Sequence, residues 1–549
     1  MFRSEPQIRN GGIQTETKPL EAVIPVIQES VREIRRIQMN LRPAILDDLG
    51  ILATISWFCR EYETTHSNIQ IEKKIDLQEH EIPEPLKMAI YRIMQEGMTN
   101  ITRHSGASLV LLSFRKRDSR IELVVQDNGR GFDLQEAHSS EDSRRGLGLV
   151  SMRERAEHSG GSFSIESAKG LWLRTTEGRS ILDAESGTFN LPLGYFHDAV
   201  ERAVQRQINS VSFIPSDLDH EQIQLFMKKL ENLGRPFGLT SMLLRDLTGS
   251  TANECAIKLS QLYTGKQGII SFDRSHHGQT IATTAISGSP FRREGIPANT
   301  VPYAHHAPLG AEIVQLENII RSSDIAAIII EPVLGNGGNL FHPPGYFQAL
   351  RELCDEHDIL LIVDEVQTGI GRTGEQFGST ALGIQPDVMT LAKGLANGYP
   401  IGAVLFRPEL NILKKYHHSF TSGSHLVSIA AANATLEEIG KDGFLEGVRQ
   451  KSGILKQGLE YLKEKHACIS DVRGIGFMWG MEIVSSSGEP DVETTNAIVQ
   501  HGIEKHDLRL RSSQYCRGNV VKVRPALIAS EEELHEIIKR LDASICEAV

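Results

Sequence analysis

No two of the six cysteines form a C-x-x-C pair. Cys59, Cys255, Cys354, Cys468, Cys516 and Cys546 are scattered along 549 residues. That spacing speaks against a disulfide framework or a zinc site and for a reducing, cytoplasmic compartment. Long apolar runs are also missing. A membrane-spanning helix needs about 20 consecutive apolar residues, and candidates such as 325–330 are only strand-sized. The opening MFRSEPQIRNGG has no apolar run of the signal-peptide kind. Positive charge is not in excess: 58 Lys and Arg face 70 Asp and Glu, a net charge of −12. That balance gives no footing for nucleic acid or an anionic membrane surface. Internal repeats and low-complexity tracts are absent.

What is present is a globular composition, 40% apolar and 23% charged, in a chain long enough for about three domains. Residues 1–18 are polar and read as a loose tail. From 19 to 60 apolar residues recur at helical spacing, broken at Leu41-Arg42-Pro43, which predicts two amphipathic helices. A strand at 69–75, a helix at 85–104 and a strand pair at 109–114 and 121–125 come next. Beyond them lie Asp127-Asn128-Gly129-Arg130-Gly131-Phe132, a polar loop and Gly146-Leu147-Gly148-Leu149. Glycines let backbone approach phosphates, and a buried aspartate can accept the exocyclic amine of adenine.

Taken together, MQEGMTNITRHSGA, DNGRGF and GLGLVSMRERA resemble the GHKL ATPase domain of two-component sensor histidine kinases over about 28–168. LRPAILDDLG resembles the segment that joins dimerisation helices to the ATPase in one such group. The resemblance implies an α/β sandwich that binds ATP with magnesium. In it Asn100 would hold Mg²⁺, Glu96 would polarise a nucleophile, Asp127 would bind adenine, and Gly129, Gly131, Gly146 and Gly148 would line the lid. The family phosphorylates a histidine upstream of LRPAILDDLG, but the first histidine here is His66, downstream of it. Histidine autophosphorylation is therefore not expected. GGSFSIES is expected as the penultimate strand of this domain.

From residue 170 the pattern changes. WLRTTEGRSILD alternates around a Glu-Gly turn and predicts a hairpin. Strand-like runs at 268–272, 325–331, 359–364 and 388–391 then alternate with helical segments, the mark of a mostly parallel sheet. The run 359–363 delivers Asp364 and Glu365 at its C-terminal end, where open α/β sheets place ligand sites. Lys393 comes just after 388–391 and stands beside Gly394. A lysine after a strand is by itself an ordinary surface residue; near an aspartate of this kind it fits a Schiff-base lysine. Thr248-Gly249-Ser250-Thr251 opens a helix, and free N–H groups at a helix start suit a phosphate dianion. Arg524, in VKVRPAL, could hold a carboxylate.

DEVQTGIGRTG and LAKGLANGYPIGA, with TGSTANE, SHHGQT, EPVLGNGG and VRPAL, resemble the class III aminotransferases over about 170–546. These are pyridoxal-phosphate enzymes of fold type I. The resemblance implies that Lys393 is the cofactor-bound lysine and proton shuttle and that Asp364 holds the ring nitrogen. Val366 would pack on the ring, His276 would stack on it, Gln367 would contact its phenolic oxygen, and Gly249 and Ser250 would bind the phosphate. Thr421 would reach the partner subunit's cofactor in a homodimer. An amino donor and a 2-oxo acid would exchange the amino group. His276 stands where an aromatic residue is usual, which leaves a titrating role open. Many members carry glutamate at the position of Asn336, where it pairs with the arginine matching Arg524 in some ω-amino-acid enzymes; without it Arg524 should be free for a substrate carboxylate. The family's N-terminal segment is expected to be replaced by kinase-like sequence.

The expected organisation is a tail and dimerisation-helix remnant at 1–65, an ATPase-like domain at 66–169, a large cofactor domain at 170–407 and a small α+β domain at 408–549. The same fold also hosts decarboxylases, aminomutases, racemases and lyases, because the cofactor's electron sink fixes which bonds can break and the pocket selects among them. A two-component-type ATP-binding signalling protein is the reading from another class.

Overall fold

The computed structural model describes residues 44–66, 69–117, 120–129, 165–176, 178–215, 217–294, 301, 303–414, 416–513 and 518–549. It divides into two compact units, 1–163 and 164–549. Among the described residues no helix is long and apolar enough to cross a membrane.

In the first unit α1 (Ala44–Thr65) breaks at Gly50, where φ is +81°. The restarted helix presents the N–H groups of Ile51 and Leu52, and the Glu79 carboxylate accepts both at 2.9 Å. An acidic acceptor at a helix start satisfies orphan donors and complements the dipole. Next along the chain are β1 (Gln70–Asp76), α2 (Glu84–Asn100), β2 (Leu109–Arg117) and β3 (Arg120–Asp127). β1 pairs parallel with β2, and β2 antiparallel with β3. The apolar faces of α1 and α2 close over this sheet through Ile55, Phe58, Tyr91, Met94, Leu112 and Phe114. The first of the two expected helices, Gly131, Gly146 and Gly148 lie outside the described residues.

The second unit begins differently from expectation. β4 (Ile165–Lys169) pairs antiparallel with β5 (Trp172–Thr175), which pairs with β6 (Ser180–Asp183). The described end of the run expected as the penultimate strand of the ATPase-like domain, 165–167, therefore belongs to a hairpin sheet of the second unit. Downstream lie α3 (Asp198–Ser210), α4 (Glu221–Gly234), β7 (Ser241–Asp246), α5 (Gly249–Thr264), β8 (Gly268–Phe272), β9 (Ala304–Ala307), β10 (Ile325–Ile330), β11 (Leu360–Asp364), β12 (Val388–Leu391) and β13 (Gly402–Phe406). Their seven strands form one sheet in the order β7-β13-β12-β11-β10-β8-β9. β13 runs antiparallel to both neighbours, and the other pairs are parallel. Every residue of β10, β11 and β12 is buried, which is why these strands read as unbroken apolar runs rather than alternations.

The C-terminal part contains α6 (Leu426–Ile439), α7 (Phe444–Lys465), β14 (Ile469–Ile475), β15 (Met478–Ile483), α8 (Val492–Lys505), β16 (Leu508–Arg509), β17 (Arg511–Ser512), β18 (Val520–Val523) and α9 (Glu531–Ala548). The structure moves both expected boundaries of the large domain. β16 pairs with β6, and Leu171, Leu182 and Ala184 pack in one core with Leu455, Met481, Val521 and Leu541. The hairpin at 165–183 thus belongs with the small domain. Conversely α6 packs against α3 and α4 beside the large sheet: Val427, Ala431 and Leu436 share a core with Val200, Phe226 and Leu405. Lys229 donates to the Asn433 carbonyl at 2.7 Å across this contact. Apolar complementarity decided both memberships, and position along the chain did not reveal it.

Candidate active site

The ends of β10, β11 and β12 and the start of α5 meet at the C-terminal edge of the large sheet, the edge where parallel sheets bind ligands. The segments after β11 and β12 and the start of α5 line a cleft of about 320 Å³. Of the residues singled out in the sequence, Gly249, Ser250, His276, Asp364, Val366, Gln367 and Lys393 all line it. Thr421 does not: it is exposed on a turn closed by the Gly423 N–H to the Phe420 carbonyl at 2.9 Å.

Asp364 ends β11 with its carboxylate buried. Oδ2 is shared by the Asn253 amide at 2.8 Å and His277 Nδ1 at 2.9 Å. Burial alone would raise its pKa, but the His277 and Asn253 hydrogen bonds and the nearby Lys393 charge outweigh that and hold it below the usual carboxylate range. Asn253 is itself fixed by Thr390 Oγ1, which donates to its Oδ1 at 2.7 Å. Neither Asn253 nor His277 was singled out in the sequence. For Asn253 the signal was its place four residues after Gly249 on α5; for His277 the string SHHG offers two histidines and no local means of choosing between them.

Lys393 comes just after β12 with φ +36°, a left-handed conformation that non-glycine residues reach only under constraint. Its ammonium is destabilised first by burial, opposed by Asp364 and Glu331, and its pKa falls to about 8. Glu331, immediately after β10, is a buried carboxylate that the sequence pattern had not singled out. Its Oε1 accepts the His276 N–H at 2.8 Å and its Oε2 the Gln367 amide at 3.2 Å. Burial raises its pKa to about 7, with His277 opposing and Asp364 adding to the rise. His276 is corrected in one respect. Burial, reinforced by Lys393, lowers its pKa to about 3, so its ring is neutral at physiological pH and does not titrate there.

At the start of α5 the Thr248 hydroxyl caps the Thr251 N–H at 3.3 Å, and Ser250 Oγ accepts from the Gln279 N–H at 3.0 Å. A Cβ on Gly249 would stand 2.8 Å from Val366 Cγ1, so only glycine lets the helix start approach Val366 this closely.

Arg524 is not free, contrary to expectation. It is 3% exposed, and its Nη2 meets Glu185 Oε2 at 2.9 Å. Nη1 reaches Gln367 Oε1 at 3.4 Å. The Asn336 position is vacant of charge, but a carboxylate from the turn after β6 takes the guanidinium instead. Two residues 339 apart in the chain make this bond, a distance no local pattern spans.

In the first unit Glu96 and Asn100 lie four residues apart on α2, both partly buried. Asp127 ends β3, and its Oδ1 accepts the Gly129 N–H at 2.8 Å.

The second unit is therefore a fold type I α/β architecture with the donor set of a pyridoxal phosphate site. It offers an ionised buried carboxylate for a pyridinium, helix-start amides and a serine hydroxyl for a phosphate, and a buried lysine amine. Comparison with known proteins gives the same class. The family model Aminotransferase class-III matches residues 155–545, and Histidine kinase-, DNA gyrase B-, and HSP90-like ATPase matches 86–181. The acetylornithine aminotransferase of Caldanaerobacter subterraneus is 36% identical over 397 residues, covering 70% of this chain and 95% of that protein. The acetylornithine aminotransferase of Synechocystis is 34% identical, covering 71% and 91%. A Virgibacillus transaminase structure superimposes with a TM-score of 0.67 at 25% identity, covering 72% of this chain and 95% of that one. The Pseudomonas jessenii omega transaminase solved with PMP gives 0.67 at 26%, covering 72% and 94%. The chain belongs to the class III aminotransferases, which are pyridoxal-phosphate-dependent transaminases, and carries an ATPase-like region ahead of that domain. With 95% of one relative covered, the expected loss of the family's N-terminal segment is small.

The depressed Lys393 pKa has a direct readout. In cofactor-free protein, labelling of Lys393 by a small amine-reactive reagent, read by peptide mass spectrometry, is expected to rise through a midpoint near pH 8. A midpoint at the ordinary lysine value of about 10.4 contradicts the electrostatic account.

Proposed function

We propose that the chain moves an amino group from an ω-amine donor of the acetylornithine kind to a 2-oxo acid. The observation carrying this reading is the shared cleft of an ionised Asp364 and a lysine, Lys393, with a depressed pKa. Bound pyridoxal phosphate supplies an electron sink that stabilises negative charge at the substrate carbon bearing nitrogen. The chain's own residues do the rest. Asp364, fixed by Asn253 and His277, keeps a proton on the ring nitrogen. Gly249 and Ser250 hold the phosphate through amides and a hydroxyl at the helix start. His276 would stack on the ring as a neutral side chain, Val366 would pack on it, and Gln367 would contact its phenolic oxygen. Lys393, with its pKa lowered to about 8, is suited to carry a proton between the substrate carbon bearing nitrogen and the cofactor's C4′ on the other side of that nitrogen. The names of the relatives support the donor class.

Two further parts of the reading concern assembly and the first unit. The exposed Thr421 turn, outside the cleft of its own subunit, supports a homodimer in which it reaches the partner's phosphate site. The match over 86–181, with Glu96 and Asn100 on one face of α2, supports binding of ATP with magnesium. Cysteine usage supports a cytoplasmic location.

Acetylornithine carrying ¹⁵N at its side-chain amine, incubated with a 2-oxo acid, is expected to deliver the label to the new amino acid. Lys393→Ala is expected to slow this by about 10²–10⁴-fold or more. Donor consumption with no ¹⁵N in an amino acid contradicts transamination and favours a lyase or decarboxylase. Sedimentation with labelled ATP and Mg²⁺ tests the other two parts: a dimer carrying nucleotide, and loss of that nucleotide in Asn100→Ala, are expected. A monomer sinks the first, and nucleotide-free protein sinks the second.

A further inference from the structure

The end of α7 and the last turns of α9 meet in a side-chain cluster that amine transfer does not use. His466 is the residue after α7. Asp542 and Cys546 are four positions apart on α9, which puts both on one face of that helix. One donor atom each from His466, Asp542 and Cys546 lies within 4.8 Å of the other two. His466 Nε2 is 2.6 Å from Asp542 Oδ1, and Lys465 Nζ is 2.6 Å from Oδ2. An ionised carboxylate only accepts hydrogen bonds, so the imidazole proton on this side sits on Nε2. The two elements are fixed from below: Leu455, Leu459 and Leu462 of α7 share a core with Ile537, Leu541 and Ile545 of α9. The His466 N–H donates to the Leu462 carbonyl at 2.9 Å, and the His466 carbonyl accepts the Ile469 N–H at 3.0 Å. The His466 side chain is only 10% exposed, whereas Cys546 faces solvent. The cluster is thus held by packed elements and open to water on its thiol side.

We propose that His466, Asp542 and Cys546 form a zinc site that ties α9 to the end of α7. Imidazole, carboxylate and thiolate together suit a borderline-soft dication, and the thiolate disfavours calcium and magnesium. Tetrahedral zinc holds its ligand atoms about 3.3–3.7 Å apart. That spacing lies between the 2.6 Å of the His466–Asp542 pair and the 4.8 Å within which the cluster falls. Three protein ligands leave the fourth position to water. The charges balance. Before binding, the Lys465 ammonium neutralises the Asp542 carboxylate. On binding, the Cys546 thiol gives its proton to solvent, His466 carries its ring proton on Nδ1 in place of Nε2, and Lys465 withdraws to water. The dication then faces one thiolate and one carboxylate, and the cluster is neutral before and after. Cysteine spacing spoke against a zinc site, but this one needs a single cysteine, because the fold brings His466 to Asp542 across 76 positions.

Zinc itself is the probe, on the full-length, cofactor-loaded protein. In competition with a chromophoric chelator, zinc is expected to bind C546S and H466A at least about 10–100-fold more weakly than wild type, since loss of even an outer partner of a ligand costs that much. C546S changes an exposed side chain far from the cleft's residues in sequence, so its zinc-free melting temperature is expected to match that of wild type. Wild type supplies a measurement independent of both variants. Zinc is expected to slow alkylation of Cys546, read by peptide mass spectrometry, by about tenfold or more, because the thiolate is both the nucleophile and the metal ligand. In H466A zinc is expected to leave that rate nearly unchanged. Equal zinc affinity in wild type and C546S, or alkylation of Cys546 in wild type that ignores zinc, overturns the proposal. These readouts do not depend on amine transfer, so the zinc site and the transfer reading stand or fall separately.

Discussion

A negative charge buried at the end of β11 needs partners, and much of the site is the set of groups that supply them. The Asp364 carboxylate is held by His277 from the loop after β8 and by Asn253 from α5. Asn253 is in turn held by Thr390 of β12. One carboxylate therefore ties together a loop, a helix and two strands, and it keeps its charge because its hydrogen bonds outweigh the cost of burial. Removing either partner takes a hydrogen bond from a buried charge, a change worth about 1.5–3 kcal/mol. Lys393 is the counterpart. It is placed by a left-handed backbone at the end of β12, and its pKa is a balance of burial against the same Asp364 and Glu331. Helix start, ring partner and amine are set in one frame because they grow from adjacent strands of one sheet.

Much of this frame is legible in the sequence, for a physical reason. Strands buried on both faces must be apolar throughout, so β10, β11 and β12 stand out as runs. Each run has a site residue at or just past its C-terminal end: Glu331, Asp364 and Lys393 in turn. The rule that picks out Asp364 and Lys393 in the sequence picks out Glu331 equally well. The helix start at Gly249 is legible because its glycine and small polar residues serve no core. In SHHG the local pattern does not say which histidine faces the carboxylate. Only the fold shows His277 on Asp364 and His276 near Lys393.

The illegible parts are long-range. Glu185 and Arg524 meet across most of the second unit, and nothing near either residue announces the other. The same holds for the hairpin at 165–183, whose apolar face matches the C-terminal core rather than the segments beside it in the chain. Both involve the region where the ATPase-like match and the aminotransferase match overlap, 155–181, or its immediate edge. Strand pairing resolves the described part of that overlap in favour of the aminotransferase, because β4, β5 and β6 form one sheet with β16.

In the proposed function the buried charge of Asp364 keeps the cofactor's ring nitrogen protonated. Nitrogen NMR of protein loaded with pyridoxal phosphate labelled at its ring nitrogen tests this most directly. A protonated ring nitrogen is predicted at neutral pH in the wild-type protein, with loss of that proton in Asp364→Asn. A neutral ring nitrogen in the wild type, or a protonated one that the substitution leaves unchanged, contradicts it.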